Sequence, residues 1–480
     1  MRLTGKVLGI LICLGMNFCY AQMFRFPSQV IQFQHLIIIV QENRTPDNLF
    51  QGLCVAPFGS ATSCSTRPNS SQYDIQTKHW SDKSSDFGRT RPQPIALTAK
   101  YELGHTHSDF VAMCNADPVT GACKMDGASD VACFDGTCPP KPQFRFAANF
   151  NGILNPYLEI ATQYGWANYM FQTNQGPSFP AHQFLFGGTS APNASDDAAG
   201  VFAAENPSPT NNAAGCIAPD GTTVALIDPS GNENQTIYPC FEHQTMADLL
   251  PSTVTWKYYA PNAGSIWTAP NAIQHICEST GPGGQCMGLD WQNNVDLVPA
   301  DVLRDIQNCT LASLSWVVPT GANSDHPIFT DGGGPSWVAS IVNAIGMSQT
   351  CDNNTGYWNN TAILITWDDW GGWYDHVSPT LLANTSYQYG FRVPFIVVSA
   401  YTPKGYISNR QYDFGVILRF IEHNFDIHEG ALNFADARAH NDLLGFFQLT
   451  RPRTFQPISV SKNADFFLND KRPPTDPDDE

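Results

Sequence analysis

The amino-acid sequence predicts an α/β fold with a mostly parallel sheet, helices on both faces of the sheet and long disulfide-tied loop insertions. Three observations support this: continuous apolar runs of strand length, helical patterns between and after them, and polar, cysteine-containing stretches that separate them. An apolar run without alternation is typical of a parallel strand that is buried on both faces. Strands that alternate with helices favour a parallel sheet covered on both sides.

Four apolar runs are the predicted strands, and three segments have the spacing of helices. In the last helical segment, apolar side chains recur every three or four residues from Phe414 to Phe425. The predicted strands are His35–Val40, Leu314–Val318, Ala362–Thr366 and Val393–Ser399. The predicted helices are Pro156–Tyr164, Ser336–Met347 and Tyr412–Phe425.

Three long polar stretches interrupt this pattern, near residues 54–94, 116–141 and 190–238. They are rich in Ser, Asn, Gly, Asp, Pro and Cys, as expected of surface loops. Loops of this length are uncommon in a compact domain, so we expect a lid or a small subdomain over the functional site. We predict a single catalytic domain over residues 22–470 and a charged, proline-rich, disordered tail over residues 471–480.

The first 21 residues have the layout of a secretory signal peptide. Arg2 and Lys6 flank the start of the apolar stretch Val7–Met16, which is followed by the small-residue site Cys19-Tyr20-Ala21 before Gln22. The apolar stretch is shorter than the roughly 20 residues that a membrane span needs. An even set of 12 cysteines follows, which favours disulfide bonds in an oxidising compartment. We therefore expect a secreted or periplasmic protein. Plausible local pairs are Cys54 with Cys64, Cys133 with Cys138 and Cys277 with Cys286.

The charge balance is strongly acidic, with 43 Asp and Glu residues against 25 Lys and Arg residues and a formal net charge of −18. Such a surface repels the phosphate backbone and argues against nucleic acid as a substrate. It also repels anionic lipid surfaces, so we expect at most peripheral membrane contact. The sequence gives no sign of an obligate protein partner.

Polar residues directly follow the predicted strands. In an open parallel sheet, the loops that leave the carboxyl ends of the strands converge on the ligand crevice. Glu42 and Asn43 follow one strand, and Asp368 and Asp369 follow another. Adjacent carboxylates repel each other unless a cation or a proton relieves them, and oxygen ligands suit hard divalent cations. We predict one divalent metal ion, with Ca²⁺, Mg²⁺ or Mn²⁺ favoured and Zn²⁺ as a remaining option.

Ser178 is the candidate nucleophile, because it lies in a turn rich in glycine and proline where its hydroxyl stands clear of its neighbours. A metal ion beside a hydroxyl lowers the pKa of that hydroxyl and makes it a nucleophile. Histidines, which titrate near neutrality, could bind phosphate oxygens or protonate the leaving group. The candidates for this work are His105, His107, Asp325, His326 and His376.

Two further residues are candidates for substrate binding. Arg44 follows the predicted metal ligands directly. Trp370 lies in a run of aromatic residues that could enclose a choline headgroup by cation–π contact. Packing in the core is the competing interpretation of these aromatic residues.

Five motifs, taken in order along the chain, resemble the phosphoesterase family that holds bacterial phospholipases C, plant non-specific phospholipases C and a group of bacterial acid phosphatases. The similarity runs from about His35 to about Asn424. The motifs are HLIIIVQENRTPDNLF, GHTHSDF with the later KMDG, GPSFP, SDHP, and WDDWGGWYDHV with the later FRVPFIVVS. The resemblance implies an alkaline-phosphatase-like core, one metal site and hydrolysis through a phosphorylated side chain.

The resemblance also implies a role for each matching residue. Ser178 would attack phosphorus; His105, favoured over His107 because of its Gly104-His105 setting, would act with Asp325 and His326 on the phosphate ester. Glu42, Asn43, Asp368 and Asp369 would hold the metal.

Three departures from the family pattern concern the site and the chain's length. The segment Pro180-Ala181-His182 stands where the family often has Pro-Asn after the nucleophile turn. Asp369 replaces a common Glu, and only about 55 residues follow Asn424.

The sequence thus predicts a secreted, metal-dependent phosphoester hydrolase that acts through a phosphoserine, of the phospholipase C or acid phosphatase type. The phosphoester substrate would be a phospholipid headgroup or a small phosphomonoester. A catalytically inactive secreted binding protein with the same fold is the alternative. Sulfate-ester hydrolysis is a weaker rival, since the segment after Ser178 lacks the Pro-x-Arg signature of sulfatases.

Overall fold

A computed structural model describes residues 32–209, 213–382 and 385–474. The predicted signal peptide at residues 1–21 and the last six residues of the predicted tail lie outside the described residues. The described residues from Phe33 onward belong to one compact unit, which is built around an eight-stranded sheet.

The eight strands follow the spatial order β4-β3-β5-β1-β6-β7-β2-β8. Five of the seven neighbouring pairs are parallel, so the prediction of a mostly parallel sheet is confirmed. The exception is β7, which is antiparallel to both of its neighbours although its apolar run was expected to be parallel like the others. The strands are β1 (His35–Gln41), β2 (Gly165–Phe171), β3 (Trp256–Tyr259), β4 (Val295–Asp296), β5 (Leu314–Val317), β6 (Thr361–Trp367), β7 (Phe395–Ser399) and β8 (Tyr406–Asp413).

Within the described residues, six helices of eight or more residues accompany the sheet. The three predicted helices are among them, with ends shifted by one or two residues. Tyr412, predicted to begin the last helix, instead belongs to β8. The helices are α1 (His107–Cys114), α2 (Asn155–Gln163), α3 (Ser178–Gly187), α4 (Asp301–Asn308), α5 (Gly334–Met347) and α6 (Phe414–Asn424).

Helices cover both faces of the sheet, as predicted. Trp316 and Leu364 are level with the same residue of β1, so their side chains share a face. Trp367, three residues after Leu364, faces the other side. The Trp316 indole donates to the carbonyl of Leu185 in α3 at 3.1 Å. The ring of Tyr157 in α2 packs against Trp367 with a centroid distance of 5.2 Å. Helices α3 and α2 therefore lie on opposite faces.

All twelve cysteines from Cys54 to Cys351 form disulfides, which confirms the predicted disulfide-tied loops. The three pairs considered plausible are present. The bonds are Cys54–Cys64, Cys114–Cys123, Cys133–Cys138, Cys216–Cys240, Cys277–Cys286 and Cys309–Cys351.

The insertion at residues 190–238 contains a small three-stranded antiparallel sheet and contacts the first turn of α3. Its Asn206 side-chain oxygen accepts a hydrogen bond from the Phe179 backbone at 2.9 Å. The insertion thus packs beside Ser178. In the part of the chain that the structure describes, no helix has the length and apolar character needed to cross a bilayer. Near the end of that part, Arg472 donates to the Asn323 side chain at 3.3 Å.

Candidate active site

The carboxyl ends of the adjacent strands β1 and β6 bring the predicted metal ligands together. Gln41 and Trp367 end these strands at the same level, so the residues that follow them emerge side by side. The backbone of Asn43 donates to Asp368 Oδ1 at 3.0 Å, and the side chains of both residues are completely buried. The loop after β6 therefore closes onto the loop after β1.

Gly371 allows this close approach of the two loops. Its φ of 59° lies in the left-handed region, which favours glycine. A Cβ atom at this position would lie only 2.5 Å from the Asn43 backbone oxygen. The Gly371 backbone also donates to Asp369 Oδ1 at 2.7 Å and so fixes the orientation of that carboxylate.

Ser178 is the first residue of α3, and its hydroxyl points at the metal-ligand cluster. Its Oγ donates to Asp369 Oδ2 at 3.1 Å, and the residue is completely buried. Position at a helix N-terminus suits a residue that meets an anion, because the peptide dipoles place partial positive charge there. The Ser178 hydroxyl therefore lies at the N-terminus of α3 and contacts the oriented carboxylate of Asp369.

His182 also belongs to this cluster, although it was not among the predicted site residues. It lies one helical turn after Ser178, and its Nε2 is 3.3 Å from Glu42 Oε1 and 3.7 Å from Asp368 Oδ2. The side chain is completely buried. The signal in the sequence is the spacing of four residues, which places Ser178 and His182 on one face of a helix.

The chemistry of these residues fits a divalent cation. Glu42, His182 and Asp368 offer ligand atoms within 4.8 Å of one another. Among the described residues, no donor reaches Asn43 Oδ1 or Asp368 Oδ2, although both atoms are buried. A buried acceptor without a partner costs about 1–3 kcal/mol. A cation bound between these atoms would remove that cost.

His105, not His107, lies beside the cluster. Its Nδ1 donates to the Leu103 carbonyl at 3.0 Å, which leaves Nε2 to accept from the Asn43 amide at 3.0 Å. His105 thereby turns the Asn43 amide nitrogen towards itself and leaves Oδ1 for a ligand. The His107 ring instead pairs with Glu233 of the 190–238 insertion, outside the cluster.

Asp325 and His326 approach the cluster from the loop after β5. Asp325 Oδ2 accepts from the Tyr157 hydroxyl at 2.8 Å and from the Trp367 indole at 3.0 Å. Burial raises the pKa of Asp325 to about 6, against the opposing effect of nearby Arg44. The ring of His326 lies 6.4 Å from that of His105.

His326 has a second acidic partner that the sequence analysis did not predict. Its Nδ1 donates to the Pro327 carbonyl at 2.8 Å, and its Nε2 lies 3.4 Å from Glu102 Oε1. Glu102 is nearly completely buried, in a short strand inside the loop region before α1. The carboxylate therefore favours a proton on His326 Nε2.

Arg44 and Trp370, predicted to bind substrate, lie within the protein. The Arg44 guanidinium donates twice to the Asp325 carbonyl, at 3.0 and 2.7 Å, and covers the Trp373 ring at 4.9 Å. The Trp370 ring is completely buried and packs edge-on against Phe391 at 4.9 Å. These contacts correspond to the core-packing interpretation of the aromatic run.

His376 joins a second buried cluster instead of the cluster around Ser178. Its two ring nitrogens lie 2.8 Å from Asp47 Oδ2 and 3.0 Å from Asp74 Oδ1. Burial opposes a charge on His376, but the two carboxylates outweigh burial and raise its pKa to about 10. Arg392 completes this second cluster by donating twice to Asp375, at 2.8 and 2.9 Å.

Comparison with known proteins agrees with the motifs. The model of the Phosphoesterase family matches residues 33–428. The chain belongs to the Phosphoesterase family. This match confirms the resemblance found in the sequence.

Relatives in this family are named as phospholipases C. The non-hemolytic phospholipase C of Burkholderia pseudomallei is 30% identical over 151 residues, which cover 26% of this chain and 21% of that protein. The hemolytic phospholipase C of Pseudomonas aeruginosa is 23% identical over 442 residues, which cover 82% of this chain and 53% of that protein. The chain thus spans about half or less of the length of these two relatives.

A solved structure of a protein in the alkaline phosphatase superfamily, from Vibrio parahaemolyticus, is also similar to this chain. It aligns with a TM-score of 0.31 and 11% sequence identity, over 57% of this chain and 61% of that chain. At this TM-score the likeness does not by itself define the fold.

Proposed function

We propose that this protein is a secreted, metal-dependent hydrolase of phosphoric esters that works through a phosphoserine at Ser178. The observation that carries the proposal is the hydrogen bond from Ser178 Oγ to Asp369 Oδ2 at 3.1 Å, inside a buried cluster of metal-ligand type. Membership of the Phosphoesterase family supports the reaction class. The six disulfides support export to an oxidising compartment.

The proposed metal ligands are Glu42, Asn43, Asp368 and Asp369. When bound, a divalent ion at these ligands lowers the pKa of the nearby serine hydroxyl and neutralises charge on the phosphoryl oxygens. Asn43 presents Oδ1 because His105 holds its amide nitrogen. Asp369 orients the Ser178 hydroxyl for attack.

The first chemical step forms a bond between Ser178 Oγ and phosphorus and breaks the bond from phosphorus to the alcohol oxygen. The departing oxygen needs a proton, which His326 can supply from Nε2 because Glu102 favours the protonated ring. Ser178 Oγ gives its hydroxyl proton to Asp369 Oδ2 in the first step, because this carboxylate already accepts its hydrogen bond. In the second step, water attacks the phosphoserine, Ser178 Oγ leaves and takes this proton back from Asp369, and His326 recovers a proton from the attacking water.

Two substrate classes agree with this chemistry. The names of the relatives favour a phosphodiester of the phospholipase C type. A phosphomonoester of the acid phosphatase type is the second candidate, because the family that the motifs resemble also holds bacterial acid phosphatases. The buried position of Trp370 gives no support to an aromatic box for choline.

The test measures product release from p-nitrophenyl phosphate and p-nitrophenyl phosphorylcholine by the metal-loaded, oxidatively folded protein. We expect Ser178→Ala to reduce hydrolysis of the preferred ester at least about 10³-fold. Ser195→Ala, in the insertion, is the matched control and should retain activity, since this exposed residue lies in the first turn of a short helix, Ala194–Ala199. Full activity in Ser178→Ala would remove Ser178 as the nucleophile, and preference for one ester would identify the substrate class.

A further inference from the structure

We infer that His182 is a nitrogen ligand of the metal site beside Ser178, and that it directs the site towards borderline transition-metal ions rather than Ca²⁺ or Mg²⁺. The inference rests on the proposed function, because it concerns the same site. It adds a fifth protein ligand to the four that the motifs suggest, and it gives the class of metal ion.

The position of His182 is the first argument. Its Nε2 lies 3.3 Å from Glu42 Oε1 and 3.7 Å from Asp368 Oδ2. Two ligands of one ion, each about 2.1 Å from it and roughly 90–110° apart, are separated by about 3.0–3.4 Å. The distance to Glu42 falls in this range and the distance to Asp368 is slightly longer, so only a small adjustment brings all three atoms onto one ion.

The second argument is the orientation of the imidazole ring. The Tyr258 hydroxyl donates its proton to the Trp267 carbonyl at 2.8 Å, so its oxygen can only accept from His182 Nδ1, which lies 3.5 Å away. In the tautomer with the ring proton on Nδ1, Nε2 has a lone pair for a cation that lies between it and the carboxylates of Glu42 and Asp368. Second-shell hydrogen bonds orient the ligand histidines of metal sites in this way.

The third argument is that two other ligand atoms of the site need a cation. Asn43 Oδ1 and Asp368 Oδ2 are completely buried, and no donor among the described residues reaches either of them. A lone pair of His182 directed at the same place adds a further electron-rich atom. A cation interacts favourably with all of these atoms together, whereas a proton on His182 would leave Asn43 Oδ1 without a donor or a cation.

The ligand set determines which ion the site prefers. Imidazole nitrogen suits Zn²⁺, Fe²⁺ and other transition ions, whereas Ca²⁺ and Mg²⁺ favour sites made of oxygen alone. A buried imidazole among three carboxylates and one amide therefore favours Mn²⁺, Fe²⁺ or Zn²⁺. This set differs from the sequence prediction, which favoured Ca²⁺, Mg²⁺ or Mn²⁺ and kept Zn²⁺ as an option: Ca²⁺ and Mg²⁺ are removed and Fe²⁺ is added.

A spectroscopic experiment on the full-length protein tests the inference without reference to activity. The protein is stripped with a chelator and loaded with Mn²⁺, the bound metal is counted by elemental analysis, and ¹⁴N coupling to Mn²⁺ is recorded by pulsed EPR. We expect one Mn²⁺ per chain with clear ¹⁴N coupling, which His182→Gln abolishes. His107→Gln is the matched control and should keep the coupling, because the His107 ring pairs with Glu233 outside the cluster.

Affinity measurements give a second readout. His182→Gln should weaken Zn²⁺ binding by about 10–100-fold and change Mg²⁺ binding by less than about threefold, as measured by competition with a chelating dye. One bound Mn²⁺ without ¹⁴N coupling in the wild-type protein overturns the inference and leaves the proposed function standing. Failure of the wild-type protein to bind any divalent ion overturns both. If His182→Gln does not fold, the ¹⁴N coupling to Mn²⁺ in the wild-type protein still tests whether a nitrogen binds the metal.

Discussion

The segment from Trp367 to His376 contributes to two buried clusters, one at each end, and the two clusters differ in how their charges are balanced. At the first end, Asp368 and Asp369 meet Glu42 and His182. At the second end, the carboxylates are matched by cations. Asp47, Asp74 and Asp375 contact His376 and Arg392.

The comparison shows how a metal-ligand site differs from a structural network of ion pairs that is made of the same residue types. Both groups place acids and a histidine within 4.8 Å of one another. In the second cluster a guanidinium and an imidazolium provide hydrogen bonds to the carboxylates, so no further ion is needed. In the first, Asp368 Oδ2 lacks a donor within the described part of the chain. Removing a charge should therefore reduce function at one end and stability at the other.

The largest effect is expected from Asp368→Asn combined with Asp369→Asn. The double variant should lose its bound metal, and ester hydrolysis should fall on the order of 10³-fold because charge on the phosphoryl oxygens is no longer neutralised. With a chelator present, its free energy of unfolding should equal or exceed that of the wild type by about 1 kcal/mol, because like charges no longer repel. Elemental analysis and chemical denaturation measure the two effects. Full metal occupancy in the double variant would contradict the assignment of Asp368 and Asp369 as metal ligands.

The next largest effect is expected from Arg392→Met at the other end. The substitution leaves Asp375 and its neighbours buried without their guanidinium, which should cost about 3–5 kcal/mol of the free energy of unfolding. The metal content of the folded protein should not change. Combining Arg392→Met with Asp375→Asn should recover part of the loss, since the unpaired charge is then removed. A loss of metal in the single variant would mean that the two clusters are coupled.

A smaller effect is the pH dependence that His376 introduces. Its pKa is raised from 6.5 to about 10 in the folded protein. The stabilising interaction is therefore complete below about pH 6.5 and is lost as the pH rises towards 10. Between pH 7 and 9 the wild type should lose roughly 2–3 kcal/mol more of its free energy of unfolding than His376→Gln does. The free energies of unfolding of both proteins are measured in denaturant across this pH range. If both change with pH in the same way, the charge assigned to His376 is contradicted.

The smallest effect is expected from Trp370→Phe, between the two clusters. Because Trp370 packs against Phe391 in the core, the smaller ring should cost about 1–2 kcal/mol of the free energy of unfolding. The KM for p-nitrophenyl phosphorylcholine should stay within about twofold of the wild-type value. A large rise in KM with unchanged stability would instead support the aromatic box for choline.

Four interior strands could be predicted from the sequence, whereas the two edge strands and the interior strands β2 and β3 could not. The continuous apolar runs of β1, β5, β6 and β7 left few alternatives. Strand β4 has only two residues, and β8 reads YISNRQYD, in which polar residues match its position at the edge. The antiparallel direction of β7 depends on the path of the chain, which an apolar run does not encode.

In the candidate site, the residues that follow buried strands could be predicted, and their partners from helices and loops were missed. Convergence of strand ends explains why Glu42 and Asp368 were found. His182 was missed because the SFPAH segment was interpreted as a turn, whereas the structure begins α3 at Ser178. Glu102 was missed because it lies in a three-residue strand without a motif. The partners of His376 lie about 300 residues away, a distance at which local patterns carry no information.

The complete burial of the Ser178 hydroxyl has a consequence for the rate of turnover. The side chains around it, from both strand ends and from α3, are likewise closed off from solvent. An ester that diffuses in bulk water can reach the hydroxyl only when part of this covering moves aside. The frequency of that opening sets an upper limit on turnover, however fast the chemistry at phosphorus is.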